Sequence, residues 1–173
     1  MTTAELLDAA LVEEATKKSG LIWVRGTDAE RALWHVWHEG AAHVVGDGPG
    51  EQPLPGLVDG GTAVVTVRSK DKGGRLVGWR ATAVELAPGT PQWEAAVAEL
   101  KGKRLNAPDA ETMTGRWSRE CRVLRLEPVA GAAPLPASTD ALAAVPVPTP
   151  ATTRDPVPAG LPRLLGRRRG TRR

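Results

Sequence analysis

Apolar residues recur at helical spacing near the start of the chain. Leu7, Leu11 and Ala15 stand four residues apart, a spacing that predicts one apolar face of a helix over residues 3–18. Thr2 and Glu5 have the spacing of a capping box, in which each side chain accepts a hydrogen bond from the other residue's backbone N–H. The pattern therefore predicts where this helix begins as well as which face it buries.

A second helix is predicted late in the chain. Thr90 is suited to cap it and Pro91 to occupy its first position, where a missing N–H costs nothing. An apolar stripe then recurs at helical spacing, at Trp93, Val97 and Leu100. Gly102 is the predicted end of this helix.

Between and beyond the helices, short apolar or alternating segments bounded by turn residues predict six strands. They cover residues 19–25, 32–38, 41–46, 62–70, 75–86 and 117–129. In the second, Trp34, Val36 and His38 alternate with Leu33, His35 and Trp37, so the two sets should lie on opposite faces. Gly78 predicts a bend or bulge in the fifth, and residues 105–116 are expected to be irregular.

The order of these elements predicts the fold class. Tight turns join most of the strands, so the sheet should be antiparallel, and helices do not alternate with strands as in a parallel doubly wound fold. We expect a mainly β, six-stranded antiparallel split barrel of Greek-key type, with an N-terminal helix and one helix before the last strand. Closure into a barrel would remove exposed strand edges.

Strand patterning stops after Val129, where the composition also changes. The last 43 residues contain eight of the fifteen prolines, seven Arg and two Asp. We therefore expect a domain over residues 1–129 and a disordered Ala/Pro/Arg-rich tail over 130–173. The remainder is mildly acidic, with sixteen basic and eighteen acidic residues, which makes nucleic acid an unlikely partner.

Composition excludes several further classes of protein. A single cysteine, Cys121, rules out an internal disulfide and a Cys-rich metal site, and its predicted place in mid-strand suggests a buried, inert thiol. The chain has no signal-peptide pattern and no apolar run of membrane-spanning length. The expectation is a cytoplasmic protein with no membrane partner.

Four stretches of sequence resemble the pyridoxamine 5′-phosphate oxidase-like, flavin-binding split-barrel family. They are SGLIWVR, ALWHVWHEGAAHVVGDGPG, TAVVTVRSKDKGGRLVGWRATAVEL, and PGTPQWEAAVAEL with RWSRECRVLRLEP. The resemblance implies a homodimer that binds FMN, or a deazaflavin in an actinobacterial-type branch, in a groove between subunits, and that acts on a small-molecule substrate. It also implies that the cofactor phosphate meets a basic residue in the loop after the third strand and others on the next strand.

The chain departs from that family pattern in the loop over residues 46–57. Where many members place Lys or Arg, this loop has Gln52 and two prolines, and Glu51 adds the wrong charge for a phosphate. Gly48 can still offer a backbone N–H group, and Gln52 a side-chain donor. The next strand could supply an anion site of its own from Arg68, Ser69 and Lys70.

Aromatic and histidine side chains are the other candidates. Trp37 could stack on a planar ring or simply pack in a core, because the chain has six Trp and no Phe or Tyr; Trp34 and Trp79 pose the same choice. The three histidines have no metal-site spacing, but His35 or His38 could line a groove beside Trp37. The predicted cofactor-binding residues are thus His35, Trp37, Gly48, Gln52, Arg68, Ser69 and Lys70.

Three functional hypotheses remain open. The first is an FMN- or deazaflavin-dependent oxidoreductase of unknown substrate, in which the redox chemistry belongs to the cofactor and no catalytic acid or base is identifiable. The second is a non-catalytic split-barrel protein that has lost flavin binding and serves ligand binding or dimerisation. The third is a haem-binding protein that uses one histidine.

Overall fold

The structure, a computed structural model, describes residues 2–69 and 74–129. Its helices are α1 (Thr3–Lys18), α2 (Pro91–Lys103) and α3 (Met113–Glu120), and its strands are β1 (Leu21–Arg25), β2 (Arg31–Trp34), β3 (Val36–His38), β4 (Ala41–Gly46), β5 (Thr62–Arg68), β6 (Arg75–Glu85) and β7 (Arg122–Pro128). The predicted tail lies outside the described residues, so the boundary at residue 129 stays a prediction.

The strands form one antiparallel sheet that nearly closes into a barrel. Its order is β2-β1-β5-β6-β7-β4-β3, so β2 and β3 are the two outer strands, and only His35 separates them along the chain. One continuous segment therefore occupies both edges of the sheet and brings them together. The predicted mainly β, antiparallel split barrel is confirmed, with seven strands instead of six.

The extra strand arises because the predicted second strand changes partners in its middle. Residues up to Trp34 pair with β1, whereas residues from Val36 onward pair with β4. The predicted alternation nevertheless persists across the break. Leu33 and Trp37 pack in the barrel interior, while Trp34 and Val36 pack in a second apolar layer outside it.

This second layer lies beneath α2 and α3. The predicted caps of α2 are present, since Thr90 accepts a hydrogen bond from the backbone N–H of Trp93 and Pro91 is the first helical residue. The predicted stripe of α2 is buried as expected. The helix continues through Gly102 and ends at Lys103.

Helix α1 has the predicted bounds and capping box but turns a different face to the barrel. Leu7 and Leu11 are 67% and 51% exposed, whereas Val12 and Thr16 are buried. The backbone oxygen of Thr16 lies 3.0 Å from Nε2 of the buried His35. That polar contact, together with burial of Val12, selects the face, so the predicted Leu7–Leu11 face is wrong.

The region before the last strand also differs from the prediction. Residues 113–120 form α3, which places Trp117 on a helix, and β7 begins only at Arg122. Burial of the Trp117 indole in the second layer favours this helix. Cys121 consequently follows the helix as its C-cap and does not lie in mid-strand.

The pairing of β5 with β6 tests the bulge predicted at Gly78, and the helix lengths bear on the expected absence of a membrane-spanning segment. Gly78 pairs regularly with Thr66, and the shift in register falls between Val67 and Arg68, so the bulge predicted at Gly78 is wrong. Among residues 2–69 and 74–129, no helix is long and apolar enough to cross a membrane.

Candidate functional site

Alternate residues of β1, β5 and β6 point away from the barrel interior, because their neighbours along each strand belong to the interior core. We call the surface that they form the outer sheet face. It consists of Leu21, Trp23, Arg25, Val64, Thr66, Arg68, Leu76, Gly78 and Arg80.

The middle row of the outer sheet face surrounds one indole with small residues. Trp23 pairs with Ala32 on one side and with Thr66 on the other, and Thr66 pairs in turn with Gly78. Trp23 is half-buried and belongs to neither apolar core. Small neighbours leave the indole as the largest flat group in this row.

A guanidinium group lies on that indole. The Cζ atom of Arg68 is 4.2 Å from the centroid of a Trp23 ring, within the range of a cation–π contact. Its NH2 group also donates to a Glu30 carboxylate oxygen at 2.7 Å. This geometry joins an aromatic plane, a cation and an acceptor on one open face.

The next row along the strands is basic. Val64 pairs with Arg25 on β1 and with Arg80 on β6, and both arginines are exposed. Neither guanidinium group has a carboxylate or hydrogen-bond partner within the described part of the chain. Two cations thus flank one apolar residue without a neutralising group.

The loop after β4, predicted to receive a cofactor phosphate, is held by internal contacts. The side chain of Gln52 forms three hydrogen bonds with backbone groups of Trp34 and Val45. A Cβ atom on Gly48 would lie only 2.3 Å from Sγ of Cys121. The donor expected from Gln52 is therefore occupied, and Gly48 lies close against Glu120 and Cys121 at the end of α3.

Glu51 has a structural role that the sequence does not reveal. Its fully buried carboxylate accepts hydrogen bonds from Arg104, from Arg116 and from the indole N–H of Trp117. These contacts fasten the loop to α3 and to the end of α2. The negative charge that opposes a phosphate in this loop is thus neutralised within the protein.

An ion pair next to this carboxylate shifts the pKa values of both of its members toward their charged forms. Arg116 also pairs with Asp109 at 2.7 Å, and this hydrogen bond lowers the pKa of Asp109 and raises that of Arg116. Cys121 is partly buried, not fully buried as predicted, and burial raises the pKa of its thiol.

His35 and Trp37 are both packed inside the structure. Burial lowers the pKa of His35 to about 4, so its ring is neutral near pH 7. Trp37 meets Trp79 edge to face, with 6.0 Å between ring centroids. Within the described ranges, no group of three or more metal-ligating side chains exists.

Two of the remaining predicted residues, Arg68 and Ser69, lie at the end of β5. Arg68 lies on the outer sheet face, and the backbone N–H of Ser69 donates to the oxygen of Gly74 across the hairpin. Lys70 lies outside the described residues. Of the six predicted cofactor-binding residues that the structure describes, Arg68 is the one that the outer sheet face includes.

Sequence reasoning missed Trp23, Arg25 and Arg80. The alternation of Trp23 and Arg25 within one strand was a usable signal that both point outward. The pairing of Arg25 and Arg80 with the same valine depends on register between strands far apart in sequence, which no local pattern carries.

The described residues fit a flavin-type cofactor on the outer sheet face better than in the loop after β4. In the loop, the side-chain amide of Gln52 is already hydrogen-bonded to backbone groups of the protein. The outer sheet face offers an aromatic and guanidinium surface beside two uncompensated cations. A planar ring can stack on such a surface, and an anionic chain can pair with the guanidinium groups.

No protein-family model and no curated protein matches the chain. Solved structures to which it is similar include the heme storage protein HutZ from Vibrio cholerae, at 12% identity and a TM-score of 0.48, over 71% of this chain and 92% of that one. The FAD-binding protein from Mycobacterium smegmatis has 12% identity and a TM-score of 0.38, over 75% and 92%. The flavocytochrome Anf3 from Azotobacter vinelandii has 12% identity and a TM-score of 0.44, over 87% and 86%.

All three TM-scores are below 0.5. A likeness at this level assigns no function to this chain.

Proposed function

We propose that this chain is a split-barrel protein that binds a flavin-type cofactor, FMN or a deazaflavin, on its outer sheet face and acts as an oxidoreductase. The observation that carries the proposal is the placement of the Arg68 guanidinium 4.2 Å from the Trp23 ring centroid. A planar ring is suited to such a surface, because aromatic and guanidinium planes stack with one another.

Exposed apolar residues on the same face support a homodimer. Leu21 is 51% and Leu76 is 63% exposed, and both lie beside the middle row of the outer sheet face. A second copy covering them would bury apolar area and enclose a ligand against Trp23. The groove between subunits would then be made from this face.

The cofactor, when bound, would supply the electron or hydride transfer. The residues of this chain would position the ring through Trp23 and Arg68, and Glu30 would fix the guanidinium in place through its 2.7 Å contact. The apolar side chains that flank this row would exclude water from the ring. The substrate is a small molecule whose identity the residues do not specify.

A non-catalytic split barrel is the second candidate, favoured by the loop after β4. Because Gln52 and Glu51 are committed to internal contacts, the family's usual phosphate donor is missing there. In that case the outer sheet face would serve dimerisation or hold another small ligand.

An absorbance spectrum of the purified full-length chain, followed by flavin titration, separates the two candidates. We expect flavin bands in the purified protein, or quenching of tryptophan fluorescence when riboflavin, FMN or a deazaflavin is added. Trp23→Ala should weaken binding of the ring about tenfold, which corresponds to about 1.4 kcal/mol. Leu105→Ala, at an exposed site away from the face, is the matched control.

Three results would decide against the proposal. A colourless protein that binds none of these compounds by calorimetry would leave the non-catalytic candidate. Equal weakening by Trp23→Ala and Leu105→Ala would place the ring elsewhere. A monomer by light scattering, with and without cofactor, would remove the groove between subunits.

A further inference from the structure

We infer that Arg25 and Arg80 form an anion site that receives the phosphate group of the bound ligand. This inference rests on the proposed function and concerns residues on β1 and β6, not the loop after β4. It assigns the ligand a definite direction across the outer sheet face.

The pairing register brings the two arginines to one place. Each lies directly opposite Val64, one on either side, so their Cα atoms are two strand spacings apart, about 10 Å. Arginine side chains are long enough to converge on one anion from that separation. Val64 between them adds neither a competing donor nor a charge.

The charges of both groups are free to act on a ligand. Most arginines in contact with other side chains here are neutralised, as Arg68 is by Glu30 and Arg122 by Asp47 and Glu85. Arg25 and Arg80 have no such partner among residues 2–69 and 74–129. Guanidinium groups form paired, charge-assisted hydrogen bonds with phosphate oxygens.

The site lies at a suitable distance from the proposed ring position. Arg25 is two residues beyond Trp23 on the same strand face, which is a rise of about 7 Å. Along β1 the exposed Leu21 lies on one side of Trp23 and Arg25 on the other, and the charge of Arg68 near Leu21 is already paired with Glu30. A ligand with an aromatic ring at one end and a phosphate at the other matches that order.

A comparison of riboflavin with FMN tests this inference, because the two ligands share a ring and differ in the phosphate. Binding to the full-length chain is measured by tryptophan fluorescence and calorimetry. We expect the native protein to bind FMN at least tenfold more tightly than riboflavin, with a preference that shrinks as salt is added. Arg25→Ala and Arg80→Ala should each remove most of that preference and leave riboflavin binding unchanged.

Two further variants sharpen the result. Arg119→Ala removes an exposed arginine from α3 and should change neither affinity. Arg25→Lys keeps the charge but loses the paired donors, so it should keep part of the FMN preference. Thermal unfolding of each variant checks that the barrel is intact.

The outcomes separate this inference from the function on which it rests. Equal affinity of the native protein for riboflavin and FMN, or equal weakening of both ligands by Arg25→Ala and Arg80→Ala, would overturn the anion site while leaving ring binding in place. If the native protein binds neither riboflavin, nor FMN, nor a deazaflavin, the proposed function is overturned and the anion site with it.

Discussion

The side-chain amide of Gln52 pairs with the backbone of Trp34 as a neighbouring strand would. The Trp34 N–H donates to Oε1 at 2.8 Å, and Nε2 donates to the Trp34 carbonyl oxygen at 2.9 Å. The same Nε2 donates to the carbonyl oxygen of Val45 at 3.2 Å. One side chain therefore bridges β2 and β4 where the sheet segment changes partners.

Gln52→Ala should destabilise the protein through these backbone groups. The substitution leaves one N–H and two carbonyl groups without their partner in a part-buried position, at a cost of about 1–3 kcal/mol. Urea unfolding followed by tryptophan fluorescence measures the change. Gln92→Ala, on the exposed first turn of α2, is the matched control and should stay within about 0.5 kcal/mol of the native protein. Equal effects of the two substitutions would show that the bridge contributes nothing.

The contacts of the Glu51 carboxylate should contribute more to the free energy of unfolding than any single surface ion pair does. Glu51→Ala removes a buried charge and leaves the largely buried Arg116 with Asp109 as its one carboxylate partner among the described residues. Breaking a buried pair in this way costs about 3 kcal/mol. A double-mutant cycle with Arg116→Ala, read by urea unfolding, should show strong coupling, because the two residues share one network. Additive effects would contradict the network.

Much of the fold was predictable because its signals are local. The capping box of Thr2 and Glu5 and the Thr90-Pro91 start of α2 are short-range patterns, and both helices begin where those patterns place them. The break at His35 was not predictable, since alternation continues through it and only the identity of the pairing strand changes.

The candidate site was less accessible to sequence reasoning. The sequence marks Glu51 only as a charge opposed to phosphate, because the arginines that neutralise it lie more than fifty residues away. The row of Arg25, Val64 and Arg80 exists only through strand register. Composition and spacing give residue types, but long-range pairing decides which of them meet.

Acidification should destabilise the fold through two buried histidines. Burial lowers the pKa of both His35 and His43 to about 4, from 6.5 in the unfolded chain. Between these values the unfolded state takes up protons and the folded state does not, so stability is full above pH 6.5 and falls as the pH drops toward 4. From pH 7 to pH 5 we expect a loss of about 2 kcal/mol for each histidine.

Unfolding by urea at pH 7, 6 and 5 measures this dependence, and His43→Gln should make it shallower. Titration of the ring protons by NMR gives an independent measurement. Ring pKa values near 6.5 in the folded protein, or stability that does not change from pH 7 to pH 5, would contradict the burial argument.

Two glycine-to-alanine substitutions should have opposite effects. In Gly48→Ala the new Cβ would lie 2.3 Å from Sγ of Cys121 and 2.5 Å from the oxygen of Glu120, and because the second contact is backbone, the loop must shift at a cost of about 1–3 kcal/mol. Gly102 lies within α2, where an added Cβ meets nothing within 4 Å, so Gly102→Ala should stabilise by about 1 kcal/mol through helix propensity.

Urea unfolding of both variants gives the comparison, and Cys121→Ala should rescue Gly48→Ala only partly, since the Glu120 oxygen remains. A Gly48→Ala protein as stable as the native one would show that the loop does not approach α3 this closely.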